Sequence, residues 1–349
     1  MNEVLVNDSM VHGDLFPFAQ IRSVADIRLG IFTLREKWEK IFGLRVLDMS
    51  RDQGPGQAVS ANLVPDRTFA EAYQSGKHAR LMESEKYQPR LLEFPWQIFE
   101  WNDEMLRSDF MWITKGRTSC PIPSSNRLIR PGNIFLESGA RVENCMLNAS
   151  AGPIYLGQDT EVMEGSMIRG PFALCQGATV KMGAVIYGAT TVGPYSVVGG
   201  EIKNSVIFGY SNKSHHGYLG DSVIGEWCNL GAGTSNSNLK NNAGPVRVWN
   251  EAKKTFLEAG LKCGLFMGDY SRCSINTSFN TGTVVGICCN IFGETFPSKY
   301  IPNFSWGDRG MSSYELDKAI RDIEAWKKLK NHSLGEGEIQ VLKYIFENS

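Results

Sequence analysis

The stretch LGQDTEVMEGSMIRGPFALCQGATVKMGAVIYGATTVGPYSVVG, residues 156–199, places an apolar side chain at every sixth position. Leu156, Val162, Ile168, Leu174, Val180, Ile186, Val192 and Val198 keep the interval without a slip. A period of six fits neither the 3.6 of an amphipathic helix nor the 2 of an alternating strand. It predicts a parallel β-helix in which each unit supplies one short strand and one corner. Three units close a triangular coil, and the inward side chains stack on their equivalents above and below. A β-sandwich would instead space its strands about 8–12 residues apart. The interval resumes at Ile224 and Leu230, and again over Met267, Cys273, Phe279, Val285 and Ile291.

Ile224 lies 26 residues after Val198, which is not a multiple of six, so the sequence predicts an insertion there. The segment contains Lys213, His215, His216 and Tyr218, with Glu201, Lys203, Asn229 and Asn238 flanking it. An imidazole that titrates near neutral pH takes a proton from an amine, and a carboxylate orients it. Lysine and tyrosine hold phosphate, and a backbone amide in a glycine-rich corner receives an oxyanion. The same residues also suit an ordinary surface loop, and their spacing leaves both readings open.

The 349 residues exceed what one core usually organises, so more than one unit is expected. The expected units are an α/β domain over 1–130, the β-helix over 131–310 and a helical tail over 311–349. Net charge is −1, which gives no electrostatic case for nucleic acid or an anionic membrane. No signal peptide or membrane span is legible, which points to the cytoplasm. The eight cysteines form no CxxC pair and match no zinc pattern, so reduced structural thiols are expected.

In the first domain Met1–Val6 and RVLDM read as strands, and PWQIFEWNDEMLRSDFMW as a helix. SVADIRLGIFTLREKWEKIFG puts Val24, Ile27, Ile31, Leu34, Trp38 and Ile41 on one helical face. The loop NDSMVHGDLFPF carries His12 and one glycine, and Arg22 and Arg28 are weak candidates for a nucleotide phosphate. GRTSCPIPSSNRLIRPG reads as the linker. In the tail, SSYELDKAIRDIEAWKKLK has a capping serine and a helical stripe of Leu316, Ile320, Ile323 and Trp326.

The run from EIKNS through SHHGYLGDSVIGEWCNLGAGTSNSN, Glu201 to Asn238, resembles the active-site coils of a known family, the bifunctional N-acetylglucosamine-1-phosphate uridyltransferase/glucosamine-1-phosphate acetyltransferases. The resemblance implies a left-handed β-helix, a homotrimer, and acetyl-CoA bound between neighbouring helices. It implies His215 as the general base, with Glu201 helping to orient it and no role for His216. Lys203 and Tyr218 would hold the sugar phosphate, Asn229 and Asn238 would position substrate, and the Gly231–Ala232–Gly233 corner would face the thioester. The sequence departs from the family at Leu239, where an aromatic residue is usual, and at Val185, where an arginine is usual. LFPFAQIRSVADIRLGIFTLREKWEKIFG is similar to the start of compact sugar-nucleotidyltransferase-like proteins joined to hexapeptide β-helices in Bacteroidetes-type bacteria. The expected activity is CoA-dependent N-acylation of an amino-sugar phosphate or nucleotide-linked amino sugar. The alternatives are Mg²⁺-dependent nucleotidyl transfer in the first domain, or a non-catalytic trimeric scaffold that binds sugar nucleotides.

Overall fold

The computed structural model describes residues 2–9, 11–49, 52, 58–294, 296–310 and 312–348. From Arg127 onward the chain winds into a parallel β-helix with three faces, of nine, eight and six strands. Every member of the two six-residue runs is buried, and together they form one continuous core. Side chains alternate along each strand, so the outward residues decide what covers each face.

The nine-stranded face begins at Ile134–Leu136 and continues through Ile154–Leu156, Phe172–Leu174 and Thr190–Val192. Its strands are buried on both sides because the N-terminal domain docks there. Phe208 and Phe266 enter that domain's core beside Phe18. The eight-stranded face and its corner carry the C-terminal helices Leu316–Lys328 and Glu336–Glu347. These pack on Tyr210, Trp227, Tyr270 and Phe304, aromatic residues that line one corner with Cys288 between the last two. Glu315, without a side-chain cap, precedes the first of these helices in place of the expected serine. The six-stranded face, from Arg127–Ile129 to Tyr218–Gly220, stays open to solvent.

The expected insertion is not where the interval fails. Strand pairing carries the winding straight through it, with Val198 beside Lys213, Ile202 beside Leu219, and Ile207 beside Ile224. The interval is lost for two reasons. Some coils are shortened, as where Tyr187 pairs with Lys203, and two inward positions are polar, Lys213 and Asn236. The real excursion lies further on, between Asn236 and Leu265. It forms the hairpin Arg247–Asn250/Thr255–Glu258, and its Val246 and Val248 enter the core of the N-terminal domain.

That domain is built on a three-stranded parallel sheet with Glu3–Asn7 between Arg45–Asp48 and Val59–Ser60. Met1 of the expected first strand lies outside the described residues. The helix expected from Val24 to Ile41 begins only at Leu34. Arg28–Leu29 and Phe32–Thr33 instead form a hairpin whose Gly30 has φ +84°. A Cβ on Gly30 would lie 2.4 Å from the Asp109 carboxylate. That carboxylate accepts hydrogen bonds from the Ile31 and Phe32 amides and pairs with buried Lys37. Val24, Ile27, Ile31, Leu34 and Trp38 are buried as expected and Ile41 is partly buried, but a turn rather than a helix buries the first of them. Residues 97–100 and 102–114 are helical as expected. All eight cysteines are free and seven are buried. No helix among the described residues is long and apolar enough to cross a membrane.

Candidate functional site

His215 lies at the corner between the strands Asn212–Lys213 and Tyr218–Gly220, and both it and His216 are exposed. The corner is stacked between two others. Gly199 donates to the Lys213 carbonyl at 2.8 Å and Glu201 to the Gly217 carbonyl at 3.2 Å on one side. On the other side Gly233 donates to the His216 carbonyl at 3.0 Å. The Gly231–Ala232–Gly233 corner therefore sits one coil from His215, a step of about 4.8 Å. Gly231 donates to the Cys273 carbonyl, whereas the Ala232 N–H has no hydrogen-bond partner among the described residues.

Glu201, Lys203, Tyr218 and Asn238 gather along the adjoining edge of the open face. Glu201 pairs with Tyr218 across one coil, and Lys203 with Gly220. Asp221 is buried at the end of that strand, where its carboxylate accepts from Asn204 at 2.7 Å and from Asn238. The same Asn238 amide donates to the Tyr218 hydroxyl at 3.0 Å. Burial and the Asp221 charge hold the Tyr218 phenol well above its ordinary range, so it remains a neutral donor. Asp221 is a functional candidate without a role in the sequence reading. Its signal was its place at the end of the YLGD run, one residue after a buried glycine.

Tyr187 is the second such residue. Its hydroxyl donates to Glu201 at 2.6 Å, which pushes its pKa up to about 12. The carboxylate expected to orient His215 is thus bonded to a tyrosine one coil away. Lys203 Nζ lies 5.8 Å from the Tyr187 ring centroid. Because this coil is short, Tyr187 rather than Val185 is the register partner of Lys203. The next coil presents Arg169, which shares with Tyr187, Met167 and Val185 a cleft of about 310 Å³. Leu239, at the usual aromatic position, is 42% exposed at the start of the excursion.

The remaining candidates lie elsewhere. Asn229 is on the helix-flanked face between Asn212 and Arg272, not on the face that carries Lys203 and Tyr218. Arg22 spends its charge on Asp269 at 2.7 Å and Glu226 at 3.3 Å, both in the β-helix. Arg28 pairs with Glu36 at 3.4 Å and donates to the Ile31 carbonyl. Both arginines are thus held in ion pairs within the chain. The expected loop after the first strand does border a cavity of about 500 Å³, lined by Asp8, His12, Arg22, Asp26 and Asp48. Among the described residues no group of three or more His, Cys, Asp or Glu side chains is arranged to hold a metal.

The molecule is thus a hexapeptide-type β-helix with a docked α/β head. Residues 4–53 match a family model described as sugar nucleotidyl transferase. The chain is 35% identical over 120 residues to the bifunctional protein GlmU of Methanocaldococcus jannaschii, covering 34% of this chain and 27% of that protein. It is 38% identical over 92 residues to a bifunctional sugar-1-phosphate nucleotidylyltransferase/acetyltransferase of Sulfurisphaera tokodaii, covering 26% and 23% of the two chains. The chain thus aligns with about a quarter of the length of these relatives. A UDP-N-acetylglucosamine acyltransferase structure from Francisella novicida aligns at 12% identity and TM-score 0.37, over 65% of this chain and 84% of that one. The likeness to bifunctional sugar nucleotidyltransferase/acetyltransferases in these two alignments covers 34% and 26% of this chain.

Proposed function

We propose that the chain is a CoA-dependent N-acyltransferase acting on the amine of a phosphorylated or nucleotide-linked amino sugar, with acetyl-CoA as the expected donor. The observation that carries this reading is the stacking of an exposed imidazole one coil from an unbonded glycine-flanked amide. His215 takes a proton from the attacking amine, and the Ala232 N–H faces the oxyanion that forms on the thioester carbonyl. Lys203 and Tyr218 receive the sugar phosphate, with Asn238 fixed by Asp221 beside them. Collapse of the tetrahedral adduct transfers the acyl group to nitrogen and expels the CoA thiolate, which is then protonated. A homotrimer, as the resemblance implies, is the expected assembly.

The test is CoA release over a panel of amino-sugar phosphates and nucleotide sugars. His215→Ala should lower kcat by about 10²–10⁴-fold, and His216→Ala should leave it within about twofold. Unchanged turnover in His215→Ala would reject the base. A second reading, nucleotidyl transfer by the head, is favoured by the match over residues 4–53 and the adjoining cavity. It predicts pyrophosphate release from a nucleoside triphosphate that is insensitive to His215→Ala.

A further inference from the structure

The inward positions of the helix-flanked face run Val142, Val162, Val180, Val198, Lys213, Leu230, Cys273 and Ile291. One lysine interrupts a column of apolar residues. Lys213 is 3% exposed and has no carboxylate partner among the described residues. Its Nζ donates to the Gly199 carbonyl at 3.1 Å and to the His215 carbonyl at 2.5 Å. The two carbonyls belong to successive corners, so the ammonium links them from inside the winding. A buried cation satisfied only by carbonyls is costly, and an apolar side chain would pack this position at less cost.

The next polar inward residue acts in the same way. Asn236 Oδ1 accepts from the Gly220 amide at 2.9 Å, and its Nδ2 donates to the Gly220 carbonyl at 3.1 Å. Lys213 thus fixes the corner before the strand Tyr218–Gly220, and Asn236 fixes the end of that strand. Along the columns that carry the six-residue interval, these two polar positions fall at the candidate site.

Building on the acyl-transfer reading, we infer that Lys213 is a positioning residue whose ammonium, from inside the β-helix, fixes the backbone corner that presents His215. It touches neither donor nor acceptor and acts through the His215 carbonyl.

The test compares full-length wild type with Lys213→Met, which fills the column with an apolar chain. Amide exchange at residues 214–217 should quicken at least tenfold in the variant. The kcat for CoA release should fall at least tenfold with KM within twofold, while circular dichroism stays that of the wild type. Ile207→Val, which removes one inward methylene elsewhere in the core, should change neither corner exchange nor kcat. Wild-type exchange at 214–217 in a folded Lys213→Met would overturn the inference. If that variant fails to fold, Lys213→Gln, which keeps one donor, is read by the same exchange and the same criterion. Should wild type release no CoA from any acceptor, the acyl-transfer reading fails, and exchange alone still decides whether Lys213 holds the corner.

Discussion

Arg22 of the N-terminal domain and Asp269 of the β-helix meet at 2.7 Å, with the Asp269 side chain wholly buried. Asp269 also accepts from the Glu226 amide at 2.6 Å, so it fixes a corner of the helix as well as the domain docked on it. Removing one partner of a buried pair strands the other charge. Arg22→Met should lower unfolding free energy by about 3–5 kcal/mol. Adding Asp269→Asn should restore much of the loss. Urea unfolding of both variants checks this, and a fully stable Arg22→Met would show that the pair does not secure the docking.

Lys213 makes stability depend on pH in a stated direction. Burial pushes its ammonium down to about 8 from the ordinary 10.5. Between those values the unfolded chain holds a proton that the folded chain has released, so stability rises with pH across the window. Below pH 8 the full penalty applies, on the order of 3 kcal/mol. Lys213→Met should be more stable at pH 7 and should lose this slope in thermal melts recorded from pH 7 to 10.5.

Asp8 titrates the other way. Burial opposes its ionisation, but hydrogen bonds from His12, Ser23 and the Val24 amide hold it down to about 2 from 3.8. Its stabilising contribution is therefore complete above pH 4 and lost as pH falls toward 2. His12→Ala should move the acid-unfolding midpoint upward, which fluorescence-monitored titration reads directly.

Gly217 has φ +122°, and a Cβ there would lie 2.0 Å from the Thr234 carbonyl oxygen. Gly217→Ala should therefore push the His215 corner off the next coil and cut CoA release at least tenfold. Gly337 offers the contrast, since it lies in the last helix with nothing within 4 Å of an added Cβ. Gly337→Ala should stabilise the protein by about 0.5–1 kcal/mol. Equal behaviour of the two variants would discount the corner geometry.

The β-helix was legible because inward residues obey a strict interval, and that interval depends on local stacking alone. The docked face left a trace as well. Triplets such as Ile154–Leu156, Phe172–Leu174 and Leu265–Met267 are apolar on both sides of the strand, and a count of every sixth residue cannot register the outward member. The interval misled where Lys213 and Asn236 took inward positions, because hydrogen bonding rather than apolar burial fills them. In the first domain Val24, Ile27 and Ile31 were recognisable as core, but helical periodicity did not anticipate the turn at Gly30. Asp109 enforces that turn from 79 residues away. Glu201, Lys203, Tyr218 and His215 were singled out together through the family resemblance, since their spacing alone was read as an insertion; coil stacking is what sets Glu201 beside Tyr218. The Tyr187–Glu201 bond was not, since it depends on the shortened coil.

The hairpin Arg247–Asn250/Thr255–Glu258 carries a consequence for how such a protein can be rearranged. Cutting the chain at the exposed stretch before Arg127 would separate the head from Val246, Val248, Phe208 and Phe266, which complete its interior. The head is thus no interchangeable cassette. It can be passed to another β-helix only together with the distant loop that finishes it.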